Sequence, residues 1–392
     1  MKTLIFSISF FQVAILFSQP PEENKVTNSS FNSNSSIPTI VMDSIQLENL
    51  NEVEIISTKK PSKNREAVSN SKLEIKSINT TSDKFIQKKK VASSQPSSRS
   101  ADIPLQEKMD EDVRLLKDED PNSFEYNLYY YISGNYNVDR ETELSKAEEL
   151  APLDPTLLSQ CVGNAMAKND SVGTINYLEK LQVNNLLSEE VISYAKDLLL
   201  SAAEDQVLIT HGFFDSYGVA YQQYINKFHS ELTTISLDLM QSESYRFHLA
   251  KQGFLLPKSN TINTSYLASF CNLNSDKNIA LSMTLPREYL SPIKEFLFPI
   301  GLVFEYRQNN ISSNDNLVLR NEKLWNQTLE KRNMNQFQSI ESNNLSSNYL
   351  PMLLYLKAEY TSKGDKLKLD WVEKEIDLAA RKSGKQSYIK KH

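Results

Sequence analysis

The sequence predicts an α/β protein with a large helical portion: tetratricopeptide-like helical hairpins, then a small parallel α/β sheet unit, then C-terminal helices. Three observations carry this. Glycine accounts for 9 of 392 residues, about 2% against a usual figure of roughly 7%, which disfavours Gly-rich phosphate loops and turn-dense all-β folds. Apolar residues recur at helical spacing through residues 101–204 and again after residue 311. Between these stretches, short runs of alternating or continuous apolar residues are separated by helix-patterned segments, the arrangement of a parallel sheet with crossovers. At about 100–200 residues per domain, the length corresponds to two or three units. The formal charge of −6 gives no reason to expect nucleic acid as a partner.

Residues 1–19 open with Met1-Lys2 and run through an apolar stretch from Leu4 to Phe17 before Ser18-Gln19-Pro20-Pro21. A short cationic start, an apolar run and a small residue before a Pro-rich break predict a cleaved secretory signal, with cleavage near Ser18. A membrane span needs roughly 20 apolar residues, and Ser7, Ser9 and Gln12 interrupt this one. Export, to the periplasm or beyond, is therefore expected, and no transmembrane span is expected in the mature chain.

Residues 20–100 read as a disordered linker. Positions 26–100 hold 17 Ser and 8 Asn, with Phe31 and Phe85 as the only aromatics. So few large apolar side chains cannot offset the entropy of ordering. The stretch carries 11 Lys plus Arg against 7 Asp plus Glu, leaving −10 for residues 101–392. Lys88-Lys89-Lys90 reads as solubilising charge. Within the linker, residues 40–56 alternate like a strand that could add to a partner's sheet, and Asp43-Ser44-Ile45 resembles an envelope O-glycosylation acceptor, as does Asp170-Ser171-Val172.

Residues 101–204 predict five helices. The first carries Phe124, Leu128, Tyr131 and Ile132 and ends near Gly134. The second is capped by Asp139 and stopped by Pro152. A third starts at Pro155, a fourth covers Val172 to Leu181, and a fifth runs from Ser188 to Ala203. Alternate helices start about 31 to 33 residues apart, close to the 34-residue tetratricopeptide period. No Trp-Leu-Gly-Tyr signature opens either unit, and an ordinary bundle is the alternative. Either offers a surface for another protein. The run Tyr129-Tyr130-Tyr131 suits helix packing, with sugar stacking as the alternative.

Residues 205–310 predict the α/β unit. Gln206 to His211 is a strand ended by Gly212, and a helix is expected from Ser216, with Ser216 as its N-cap. A second strand holds Ile235, Leu237 and Leu239, and a helix through Tyr245, Phe247 and Leu249 closes at Gly253. A long polar connection then leads to a third strand at Ile279, Leu281, Met283 and Leu285. A short helix opens at Pro292, and the last strand spans Gly301 to Arg307. Ligands of such sheets sit beyond the carboxyl ends of the strands, which makes His211, Gly212, Asp215 and Ser216 the candidate ligand-binding residues. His211 and Asp215 have the makings of a base and an orienting carboxylate, but no nucleophile stands beside them in the sequence.

The segment from Asp205 to Tyr217, followed by Thr234 to Leu239, resembles the soluble C-terminal region of the protein O-mannosyltransferase-like membrane family of bacterial envelopes. There a strand ends in Thr-Asn-Gly-Asp-Asn-Asp-Thr-Phe-Pro and the next carries a Val-Asn-Leu-Ser-Leu-type run. Residues 280–286, Tyr289-Leu290 and 298–307 are similar to that family's later strand, short helix and Glu-Gly-Leu-x-Tyr-Arg pattern, and the likeness extends over roughly residues 190–380. Thr210, Gly212 and Asp215 fall on matching positions. His211, Phe213, Phe214 and Gly218 depart from the pattern. The region to which glycosyl transfer is assigned is membrane-embedded and is not among these residues, so the resemblance implies an envelope setting without the transferase activity.

Cys161 and Cys271, the only cysteines, read as buried free thiols, with pairing left open by an oxidising compartment. His229, His248 and His392 are isolated, and no Cys/His cluster has ligand spacing, so neither metal nor cofactor is expected. Residues 311–392 predict helices at Glu322–Arg332, Tyr349–Tyr360 and Lys366–Lys382, the last with an apolar stripe of Leu369, Val372, Ile376 and Ala379 or Ala380. The residues name no reaction. The leading expectation is a non-enzymatic exported interaction module whose partner is an envelope protein of glycosylation or surface assembly. The alternative is a protein that binds, and in one version hydrolyses, a glycan or small ligand at His211 and Asp215.

Overall fold

A computed structural model describes residues 69–308, 314–326 and 340–389. The apolar run of residues 4–17, the alternating stretch of residues 40–56 and Asp43-Ser44-Ile45 lie outside these residues. The helices are α1 (Ser69–Ser93), α2 (Ile103–Glu119), α3 (Phe124–Ser133), α4 (Glu141–Leu150), α5 (Pro155–Ala167), α6 (Ser171–Val183), α7 (Glu189–Ser201), α8 (Gly212–Tyr224), α9 (Glu243–Lys251), α10 (Thr264–Leu273) and α11 (Arg287–Leu290). They continue with α12 (Asn314–Leu324), α13 (Ile340–Leu345), α14 (Leu350–Lys363), α15 (Lys366–Lys382) and α16 (Gln386–Ile389). Five strands, β1 (Val207–Thr210), β2 (Thr233–Ser236), β3 (Ile279–Ser282), β4 (Leu297–Ile300) and β5 (Val303–Tyr306), form one sheet in the order β2-β1-β3-β5-β4. The chain is thus mostly helical around a small mixed sheet.

The helical region begins earlier than expected. Residues 69–93, read as part of a disordered linker, form α1, whose Phe85, with Ile78 beside it, seats in the core of the helical region. Phe85 is 1% exposed and stacks on Tyr129 with ring centroids 4.6 Å apart, and Ala92 is buried with it. Lys88, from the basic run, pairs with the buried Asp112 of α2 at 2.5 Å. Composition undercounts a helix that borrows its core from another element. Truncating Phe85 to Ala removes a side chain whose loss costs about 3–5 kcal/mol in a core. Because α1 packs chiefly on α2, the Phe85→Ala loss is expected to appear as local opening of α1. Hydrogen exchange resolved by peptide is expected to show α1 amides exchanging at least tenfold faster, with those of α8 unchanged.

Helices α3 to α7 follow the predicted order, and their starts are set by side-chain caps: Ser123, Asp154, Asp170 and Ser188 each accept a backbone N–H of the first turn. Asp139 does not cap α4. It lies in a single 3₁₀ turn, Val138–Arg140, and α4 starts without a side-chain cap. Helices α6 and α7 pack on α8 of the sheet unit, so much of their inner face is core, and the tetratricopeptide-like reading is not confirmed. Asp170 caps α6, which leaves Ser171 and Val172 exposed at its first turn.

The sheet is mixed where a parallel one was expected. Strands β1, β2 and β3 pair in parallel, β5 runs antiparallel to β3, and β4 returns antiparallel to β5. The expected strand from Gly301 to Arg307 is one arm of a hairpin whose two-residue turn is Gly301-Leu302, with Gly301 at φ 55°. Pro299 hid the other arm, since proline argues against a strand unless, as in β4, the strand is an edge. Strand β2 stops at Ser236, and Leu239 enters a 3₁₀ turn, Leu239–Gln241. The long polar connection contains α10, opened by an Asn263 cap and burying Tyr266, Leu267, Phe270 and Cys271.

Both faces of the sheet are covered. Leu208 and Ala280 join the core shared with α7, α8 and the C-terminal helices, while Ile209, Ile279 and Leu281 join the core built with α9 and α10. In the antiparallel part of the sheet, buried Glu305 of β5 is held by Gln206, Arg307 and Arg320. Burial alone would raise its carboxyl, but the Arg320 and Arg307 guanidinium groups outweigh this and hold it below the usual range. The C-terminal helices dock through Trp325, which meets Tyr349 and Trp371 edge-on, and through Tyr349, whose hydroxyl donates to Asp197 of α7 at 2.7 Å. Helix α12 starts at Asn314, ahead of the expected Glu322, whereas α14 and α15 fall close to their expected bounds. Among the described residues, no helix is long and apolar enough to cross a membrane.

Candidate functional site

Strand β1, buried along its length, ends at His211, and α8 begins at once with Gly212. Gly212 has φ 76°, a conformation that glycine adopts without the penalty of a Cβ, and this permits the abrupt strand-to-helix turn. Two carboxylates satisfy the helix start. Asp215 Oδ2 accepts the His211 backbone N–H at 2.9 Å, and Asp238, which follows β2, accepts the Gly212 N–H at 2.7 Å. Ser216 is therefore not the N-cap expected from the sequence. It sits inside α8, 4% exposed, with its Oγ 3.0 Å from Thr210 Oγ1 and 3.1 Å from Ser236 Oγ, tying β1, α8 and β2 together.

The four predicted residues are brought together, but not as a base and its orienter. Asp215 meets the backbone of His211, and its Oδ2 also accepts the Thr284 hydroxyl at 2.9 Å, so it braces the loop from beneath. Burial pushes the His211 imidazole down to about 4. The Asp238 carboxylate opposes this, the Arg99 charge reinforces it, and a hydrogen bond with the Thr284 backbone opposes it. Burial pushes the Asp215 carboxyl the other way, up to about 7, against the His211 N–H and Thr284 bonds that favour its anion. At neutral pH the imidazole is uncharged.

His211, Gly212 and Ser216 line a cavity of about 740 Å³ between the carboxyl ends of β1 and β2 and the helical region, with α1 along its outer side. Several of its most telling residues were not singled out from the sequence. Arg99 comes from the stretch read as linker. The connection between α1 and α2 is stitched onto the sheet unit: Ser98 bridges Asn263, the Arg99 N–H donates to Ile262 O at 2.8 Å, and Thr264 N–H donates to Ser97 O at 3.2 Å. This strap carries the Arg99 side chain, 6% exposed, to within 3.9 Å of Asp238 and over the Tyr289 ring. The Arg99 guanidinium also donates to Gln95 O at 2.9 Å. Nothing in the local sequence marks Arg99 for the cavity, because the sheet-unit residues it meets there, Asp238, Ile262 and Tyr289, are distant along the chain.

Asn135 and Tyr136 also line the cavity, and both are left-handed at φ 51° and 63°. Such residues cost about 1–2 kcal/mol each and concentrate where a loop must be aimed. Here they turn the chain after α3 so that Tyr136 faces the cavity, lying over Gly163, where an added Cβ would stand 2.4 Å from the ring. Lys89 of α1 donates to Asn135 Oδ1 at 3.3 Å. Of the Tyr run, Tyr129 lines the cavity, Tyr130 stacks under the Arg140 guanidinium, and Tyr131 is fully buried with its hydroxyl on Asn164. Cys161 and Cys271 are free and buried in separate cores, and burial pushes the Cys161 thiol up to about 12. Among the described residues, no three His, Cys, Asp or Glu side chains gather as a metal would require.

No family model, no curated protein and no solved structure matches the chain.

Proposed function

We propose that this chain is an exported binding module that holds a small polar ligand in the cavity beyond β1 and β2. The observation that carries this reading is the cavity itself. Its volume of about 740 Å³ falls within the roughly 300–1,000 Å³ of small-ligand sites. It also lies where ligands of such sheets bind, and its walls mix aromatic rings with the polar groups of Arg99, Asn135, His211 and Asp238. The arrangement suits binding rather than bond cleavage. The Ser216 hydroxyl is committed to Thr210 and Ser236, and Asp215 serves the backbone of His211 rather than orienting its ring. The apolar run of residues 4–17 and the resemblance to an envelope family support an extracytoplasmic setting, with accessory service to envelope glycosylation or surface assembly.

The test is thermal denaturation of the purified chain against amino acids, short peptides and mono- to trisaccharides, each at millimolar concentration. A compound present at 100 times its dissociation constant stabilises by about 2.7 kcal/mol, so a binder is expected to raise Tm by several degrees. The rise is expected to vanish in Ser159→Trp, which puts a ring at a half-buried position of the cavity wall. No shift with any compound, or a shift that survives the blocked cavity, would overturn the proposal.

A further inference from the structure

The charges around the cavity are largely sorted, Asp238 being the one lining carboxylate that stands among the cations. At one end, Glu125 and Asp154 stand with Asp83 of α1. All three are close enough to reinforce the rise that burial imposes on the Tyr129 hydroxyl. At the other end stand Lys89 and Lys90 of α1 and Arg99 of the strap, with Lys89 reaching Asn135 and Arg99 reaching Asp238. Between the two ends lie the stacked rings of Phe85 and Tyr129. Helix α1 shows this polarity by itself. Asp83 and Lys89 are six positions apart and both face the cavity, which places them about 9 Å apart along the axis at 1.5 Å per residue.

From this sorting we infer that the cavity takes a short peptide with free termini, about three residues long. The inference rests on the cavity-binding reading above and names the ligand class. An extended tripeptide spans about 10 Å at 3.3–3.6 Å per residue, which matches the separation of the charged ends. Its ammonium meets Glu125, Asp154 and Asp83. Its carboxylate meets Lys89 and Lys90, while Arg99, whose guanidinium is held by Gln95 O and Asp238, adds its charge from behind them. The central side chain rests on the aromatic rings. An anion alone would face three carboxylates at the far end, and a neutral sugar would leave both charged ends without a counterpart.

The experiment is calorimetric titration of the full chain with the tripeptide Ala-Phe-Ala, its N-acetylated form, its C-amidated form, and maltotriose. Free Ala-Phe-Ala is expected to bind, and capping either end is expected to weaken it at least tenfold. In the double variant Lys89→Gln, Lys90→Gln, two half-buried positions where the fold is retained, the free and amidated forms are expected to bind within threefold of each other. Equal binding of capped and free peptides, or binding of maltotriose alone, would overturn the peptide assignment while leaving the cavity reading intact. Failure of every probe here and in the thermal panel would overturn both.

Discussion

Replacing Asp215 by Asn and His211 by Gln is expected to give stability profiles of opposite slope between pH 4 and 7, where the unaltered protein is nearly flat from these two groups. The sign follows from each group's direction. Asp215 is raised from 3.8 to about 7, so the stability it contributes is full below about pH 4 and is lost as pH rises through about 7. His211 is lowered from 6.5 to about 4, so its contribution is full above about pH 6.5 and is lost as pH falls through about 4. At 1.36 kcal/mol per pH unit, the two amount to roughly 4 and roughly 3 kcal/mol. They run against each other across the same window. Asp215→Asn leaves the histidine slope, so this variant is expected to lose roughly 3 kcal/mol on going from pH 6.5 to 4. His211→Gln leaves the carboxyl slope, and a loss of roughly 4 kcal/mol is expected on going from pH 4 to 7. Urea unfolding at half-unit steps measures both, and two variants with the same pH profile as the unaltered protein would rule out the buried, opposed pair.

Gly301→Ala is expected to cost roughly 3 kcal/mol. Two effects add. At φ 55° an alanine pays the left-handed penalty of about 1–2 kcal/mol. Its Cβ would also stand 2.3 Å from Ser201 Oγ and 2.7 Å from Ser201 Cβ, and overpacking of this kind costs typically 1–3 kcal/mol. Ser201 cannot swing aside freely, because its Oγ accepts the Leu302 N–H and donates to Asp197 O. The Tm is expected to fall by several degrees, at somewhat less than the about 2–4 °C per kcal/mol of chains of roughly 150–250 residues. Gly364→Ala is the control. Its φ is 68°, but nothing lies within 4 Å of the added Cβ, so about 1–2 kcal/mol is expected there. Equal losses at the two positions would show that the close approach to Ser201 carries no cost.

Much of the local structure is legible along the chain. The helix starts at Phe124, Pro155 and Ser188, the strand Val207–Thr210 and the stripe of α15 are each specified by residues a few positions apart, although the two caps read from the sequence, Asp139 and Ser216, do not cap. Strand β4 and α10 were missed for stated reasons: Pro299 disguised the first, and a polar surround disguised the second. Helix α1 was missed because its buried side chains are too few to support it without Tyr129 and α2. The site divides in the same way. The sequence by itself determined that a strand gives way to a helix at the His211–Ser216 turn, and it made that turn the candidate site, because short-range periodicity and turn chemistry decide those features. The helix begins at Gly212, earlier than the Ser216 start expected. Only the tertiary structure decided that Asp215 braces the His211 backbone, that Ser216 is locked between Thr210 and Ser236, and that Asn135, Asp238 and Arg99 share the cavity wall. The physical reason is that a hydrogen bond or an ion pair is strong only within a few ångströms. Arg99, Asn135 and Asp238 are far apart along the chain and are brought together only by packing, and even Asp215 and Ser216, close in sequence to His211 and Thr210, take those partners from the way α8 seats on the strands.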